Sequence, residues 1–158
     1  MRRPLEVLAL AVVLGIGVSG CAAGPEPDWR SLQTRADEFV ETAIARTDVL
    51  GSGSFRVAAD VPPPEDEEGG VVLNYATPVR VEGVSVSCFG EGAIRFGYIT
   101  RTGSSWAGSD AVEVACDGVE QEVVLSEPLE RVNAIRLYAS LADGAGGVMA
   151  ATVSGRAG

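Results

Sequence analysis

Between Trp29 and Leu50 the apolar residues recur every three or four positions; from Ser54 onward they recur every two. Trp29, Leu32, Ala36, Phe39, Val40, Ala43, Ile44 and Leu50 predict one amphipathic helix. Asp28 stands at its N-cap position and Gly51 at its stop. The other side of that helix carries Arg35, Asp37, Glu38, Glu41, Arg46 and Asp48 and reads as solvated. Phe55–Ala58 predicts a short strand. Residues 60–70 (DVPPPEDEEGG) predict an exposed acidic, proline-rich linker. Val71–Tyr75 is β-prone. Val79 and Val81 then alternate with Arg80 and Glu82, and Gly83 shifts the phase as at a bulge before Val84, Val86 and Cys88. Phe89–Gly92 predicts a turn, Ile94–Phe96–Tyr98 a strand, and residues 101–109 (RTGSSWAGS) a polar loop holding Trp106. Val112, Val114 and Cys116 alternate up to Asp117-Gly118, a two-residue hairpin signal. Val119, Val123 and Leu125 lead on to Pro128, Val132–Ala139 is a strand, 142–147 (ADGAGG) a turn, and Val148–Ser154 the last strand.

About seven short strands with regular turn signals predict an all-β fold, an antiparallel β-sandwich preceded by one amphipathic α-helix. The organisation expected is a leader over 1–20, a tether over 21–28, the helix over 29–51, a short strand and linker over 52–70, and the β-sandwich over 71–158. The helix either packs on the sheet or acts as a stalk. Its mixed Ala, Phe and Ile seam favours packing.

The leader changes the picture of where this domain sits. Arg2 and Arg3 precede an apolar run, Leu5–Val18, broken by Glu6 and two glycines, and the run closes on Val18-Ser19-Gly20-Cys21. Small residues directly before a cysteine at this position resemble the lipobox of bacterial lipoproteins. The resemblance implies cleavage before Cys21, a diacylglyceryl thioether on its sulfur with palmitate-type acylation, and a chain anchored on the extracytoplasmic face of the cell membrane. The alternatives are an ordinary secretory signal and a transmembrane helix, for which the run falls short of ~18–20 apolar residues.

Without residues 1–20, the 158-residue chain leaves 138 residues with 10 basic and 21 acidic side chains, net −11. A surface that negative disfavours nucleic acid as a partner. Every basic residue is Arg, and His is absent. With Cys21 acylated, Cys88 and Cys116 remain, and in an oxidising compartment one disulfide between them is the economical pairing. It closes a loop of about 29 residues, worth roughly 3–4 kcal/mol in the chain-entropy picture.

The run Val84-x-Val86-x-Cys88-x-Gly90-x-Gly92, then Val112-x-Val114-x-Cys116-Asp117-Gly118 and a glycine-rich end, resembles a group of small secreted lipoproteins of actinobacteria. The likeness covers about half the chain, from Tyr75 to Val153. It implies fold and location and carries no catalytic residues.

Candidate chemistry is sparse. Without His or Lys, the Ser-His-Asp, Cys-His and Ser-Lys arrangements do not form. Gly51-Ser52-Gly53 lacks the Lys of a P-loop, and the glycines of 144–147 open no helix. No cofactor and no metal site are expected. Glu65–Glu68 does not space its carboxylates as a calcium loop does. Glu82, Glu91, Glu113 and Asp117 supply carboxylates for the alternative function, a small cell-wall glycan hydrolase with paired acids.

The favoured reading is a non-catalytic binding or interaction module at the cell envelope. Its partners are the membrane, through the Cys21 anchor, and an envelope glycan or protein. The binding candidate is Trp106 with Tyr98 and Arg101, because an indole on a loop stacks on a sugar ring or anchors a peptide. The commoner fate of such a side chain, and the expectation for the isolated domain, is that Trp106 folds back to cap the open end of a small sandwich. Exposure of Trp106 beside Tyr98 or Tyr138 favours a contact site.

Overall fold

A computed structural model describes residues 26–59 and 70–158. The leader, Cys21, the start of the tether and nearly all of the acidic linker lie outside those residues. The order is α1 (Trp29–Ile44), β1 (Val49–Val57), β2 (Val71–Thr102), β3 (Ser105–Gly108), β4 (Val112–Asp117), β5 (Gln121–Val123) and β6 (Leu129–Ala157).

Asp28 caps α1 through its carboxylate, which accepts from the Ser31 amide at 3.2 Å. Such a cap stabilises a helix by about 1 kcal/mol. The helix is shorter than its periodicity predicts. It ends at Ile44 with Ala45 as C-cap, and Val49, Leu50 and Gly51 already belong to β1. Tertiary pairing overrides the helical pattern here. Val49 and Gly51 pair with Ser154 and Val153 of β6, and a Cβ on Gly51 would meet the Leu73 side chain at 2.8 Å. β1 is therefore a strand of the main sheet rather than part of a connector preceding it.

The sheet is built on two long strands. β2 and β6 run antiparallel from Arg101↔Ala134 through Ile94↔Leu141 to Glu91↔Gly146, Val86↔Ala151 and Arg80↔Arg156. One arm of this ladder gains β1 beside β6 and β5 beside β2. The other gains the start of β2 beside Ala134–Leu137, and β3 and β4 beside the end of β2. Val81, Val84, Val86, Met149, Ala151 and Val153 from the first arm share one buried core with Ile94, Phe96, Val114, Ile135 and Leu137 from the second. This is the all-β antiparallel sandwich-like fold that the alternation predicts, made by six strands rather than seven separate ones.

The fold occurs at glycines. Phe89–Gly92 and 142–147 do not reverse the chain as turns. They pair with each other, and the ladder bends through them. Gly92, Gly144 and Gly146 hold φ of 86°, 85° and 103°, the left-handed region open to glycine. Asp117-Gly118 is not a hairpin either. β4 and β5 both pair with β2, and the chain passes between them with the Gly118 amide donating to the Cys88 carbonyl at 2.8 Å. The phase shift expected at Gly83 is present as a register shift between Val81 and Gly83.

α1 lies on the outer side of the first arm, so packing and not a free stalk is its role in the structure. Ala36 is fully buried with Phe89, Val148 and Ala150, and Trp29, Leu32, Phe39 and Val40 pack around them. Two arginines lock the contact by stacking: Arg56 over Trp29 at 4.0 Å and Arg35 over Phe89 at 4.8 Å.

Burial also sets a pH limit. Desolvation pushes the Tyr75 phenol up to about 12 and raises Tyr98 as well. The neutral phenols fit the fold and the phenolates do not. Their contribution is complete below the unfolded value of about 10 and is lost as pH rises through the folded values. Phenolate absorbance should therefore appear later in native than in denatured protein, and denaturant midpoints should fall only above about pH 10.

Candidate functional site

The polar segment around Trp106 is a β-hairpin. Arg101 faces Trp106 and Thr102 faces Ser105, leaving Gly103-Ser104 as a two-residue turn. Gly103 holds φ 61°, as the first position of such a turn demands, and its amide donates to Asn133 Oδ1 at 2.7 Å. The turn is thereby tied to the neighbouring strand. At the hairpin's other end the Tyr98 amide donates to Ser109 Oγ at 3.0 Å.

This register decides what Trp106 does. It stands directly opposite Arg101, whose phase points away from the core, and the Arg101 guanidinium sits 5.5 Å from the indole centroid. The indole is 50 % exposed and joins neither buried cluster. It does not cap the sandwich. Gly103 fixes the pairing partner, and the partner fixes the side.

Tyr98 goes the other way. It lies three residues before Arg101, on the opposite face of β2, and packs partly buried against the core. The structure therefore joins Arg101 to Trp106 and separates Tyr98 from them. Tyr138 is on the outer face instead. A Cβ on its partner Gly97 would lie 2.5 Å from the Tyr138 ring and hydroxyl, so the ring is laid flat across that glycine.

Two further side chains join this face. Arg136 pairs across from Ile99 and Val72, and Arg95 across from Ser140 and Glu113, all on the outward phase. Single-sequence alternation shows that Arg95 and Arg136 each point outward. It does not show that β6 lies beside the end of β2, which is what gathers them.

The expected carboxylates are scattered, and two of the four, Glu82 and Asp117, are locally engaged. Glu82 binds Arg80 and Arg156 at 3.3 and 3.4 Å. The Asp117 carboxylate accepts from the Val119 amide at 2.9 Å. Glu91 sits at the bend opposite Gly146, and Glu113 faces Arg95 on β4. Cys88 and Cys116 form the disulfide. The lipidation candidate Cys21 lies outside the described residues. No protein family, curated protein or solved structure matches this chain.

Proposed function

We propose that this chain is a membrane-anchored, extracytoplasmic lipoprotein whose β-sandwich is a non-catalytic binding module at the cell envelope. The observation that carries the binding role is Trp106. Its large apolar surface is held half in solvent, on a strand pinned at both ends, by an arginine stacked on it. A half-exposed indole on a rigid hairpin is preorganised for stacking and loses little entropy on contact. The anchor reading rests on Val18-Ser19-Gly20-Cys21. The Cys88–Cys116 disulfide agrees with an oxidising compartment.

Two measurements test this. Trp106→Ala should cost the isolated fold no more than ~1 kcal/mol, the size of an exposed cation–π pair, while weakening retention on purified envelope material. A large stability loss with unchanged retention would instead make the indole structural. Cys21→Ser should leave the protein unprocessed or shed from the membrane fraction and abolish lipid labelling. Wild-type partitioning and labelling of that variant would refute the anchor.

A further inference from the structure

The outer face of the second arm is cationic in a chain whose net charge is −10. Arg95, Arg101 and Arg136 all project from it against one carboxylate, Glu113 across from Arg95 on β4, and among the described residues none of the three arginines has a carboxylate within salt-bridge distance. By contrast Arg46, Arg80 and Arg156 are each ion-paired. Arg101 and Arg136 also share a second property. The Nε of each is shut off from solvent with no hydrogen-bond acceptor, as is that of Arg80, and what Arg80 has and these two lack is a carboxylate within reach. Arg101 has the Trp106 ring as its partner and Arg136 has no ion pair among the described residues, so the charge of both forks is left for a ligand. Arg136 is diagonal to Arg101 across the β2–β6 pair, about 7–8 Å away by sheet geometry. Arg95 lies six residues up β2, about 20 Å along the strand. Between and beside these cations lie the two aromatic surfaces, Tyr138 over Gly97 and Trp106 over Arg101.

We infer that this face, resting on the binding role proposed above, takes a short anionic oligosaccharide, with sugar rings on the aromatic side chains and carboxylates on the arginine forks. Arginine is the side chain suited to planar anions, because its fork donates two parallel hydrogen bonds to one carboxylate. The ring surfaces add stacking that a simple inorganic ion does not use. The arginine forks and the rings stand on the face of the sheet rather than along the edge of β3, so they meet a ligand laid across the strands and not a peptide added to that edge. A long polyanion meets the repulsion of the chain's net charge, whereas a short one spans only the arginine row.

The test is calorimetric titration of the full-length protein with hexagalacturonate. Maltohexaose, poly-glutamate and phosphatidylglycerol vesicles are run as comparators. Hexagalacturonate should bind with an affinity that falls as salt rises, and maltohexaose at least tenfold more weakly. Arg101→Gln and Arg136→Gln should each weaken hexagalacturonate at least fivefold, Arg136→Lys less, and Arg30→Gln on α1 not at all. Melting curves check that the variants fold. Arg95→Gln, fully on the surface, serves if the others do not. Equal binding of the neutral sugar, preference for poly-glutamate or vesicles, or indifference to all three arginines overturns the inference. If Trp106→Ala still lowers envelope retention while the arginine variants do nothing, the binding module stands and only this ligand class falls. If neither changes retention, both fall.

Discussion

Replacing Cys88 with alanine lowers the unfolding free energy by about 3–4 kcal/mol, and reduction of the wild type does the same. The bridge joins residues 28 apart in sequence and ties β2 to β4 where the ladder begins to bend. Both cysteines are buried in the shared core, Cys88 completely. In the unfolded chain the bridge removes loop entropy. In the folded chain its loss leaves a free Cys116 and a small void in the shared core. For a domain this size the drop is a large share of total stability. Denaturant unfolding with and without reductant measures it, and thiol titration of native wild type should find no free sulfhydryl from this pair. A midpoint unchanged by reduction would show that packing alone holds the corner.

The second large effect falls on the bend. Gly92→Val and Gly144→Val should each destabilise by about 3 kcal/mol or more, from a β-branched residue forced to positive φ together with backbone overlap. The two glycines face each other. A Cβ on Gly144 would lie 2.5 Å from the Glu91 carbonyl oxygen and 2.8 Å from the Gly92 Cα. A Cβ on Gly92 runs into the Asp143 carbonyl. Neither backbone moves aside without breaking the ladder. Gly103→Ala is the internal control. Its φ is positive at 61°, yet nothing lies within 4 Å of the added Cβ, so it should cost only about 1 kcal/mol. Equal losses at all three positions would show that backbone conformation, and not the close crossing of β2 and β6, sets the effect.

Much of this was legible from the sequence, and the misses share one form. The helix start at Asp28, its buried face and the inward set Val84, Val86, Cys88, Ile94, Phe96, Val114 and Cys116 all follow from local period. The helix end does not, because Val49 and Leu50 are claimed by β6. Glycine clusters read as reversals, whereas the two of them pair and bend together. Asp117-Gly118 read as a hairpin, whereas both its flanks bind the same neighbour. The candidate site divided the same way. Sequence distance alone joins Tyr98 to Trp106 and Arg101, whereas its phase on β2 turns it, partly buried, against the core.

The sequence by itself determined which side of its own strand each residue takes, because alternation and helical period are properties of a few consecutive residues. It also made a pair of Cys88 and Cys116 the economical reading and indicated antiparallel β structure preceded by one amphipathic helix, whose packing on the sheet it left open. Only the tertiary structure decided which strands are neighbours. That choice sets the register between segments far apart in the chain, and register alone places Arg101 beside Arg136, lays Tyr138 over Gly97 and leaves their face uncovered among the described residues, while α1 covers the opposite one. No local pattern encodes that pairing, because its free energy comes from a core assembled all at once from both arms of the ladder.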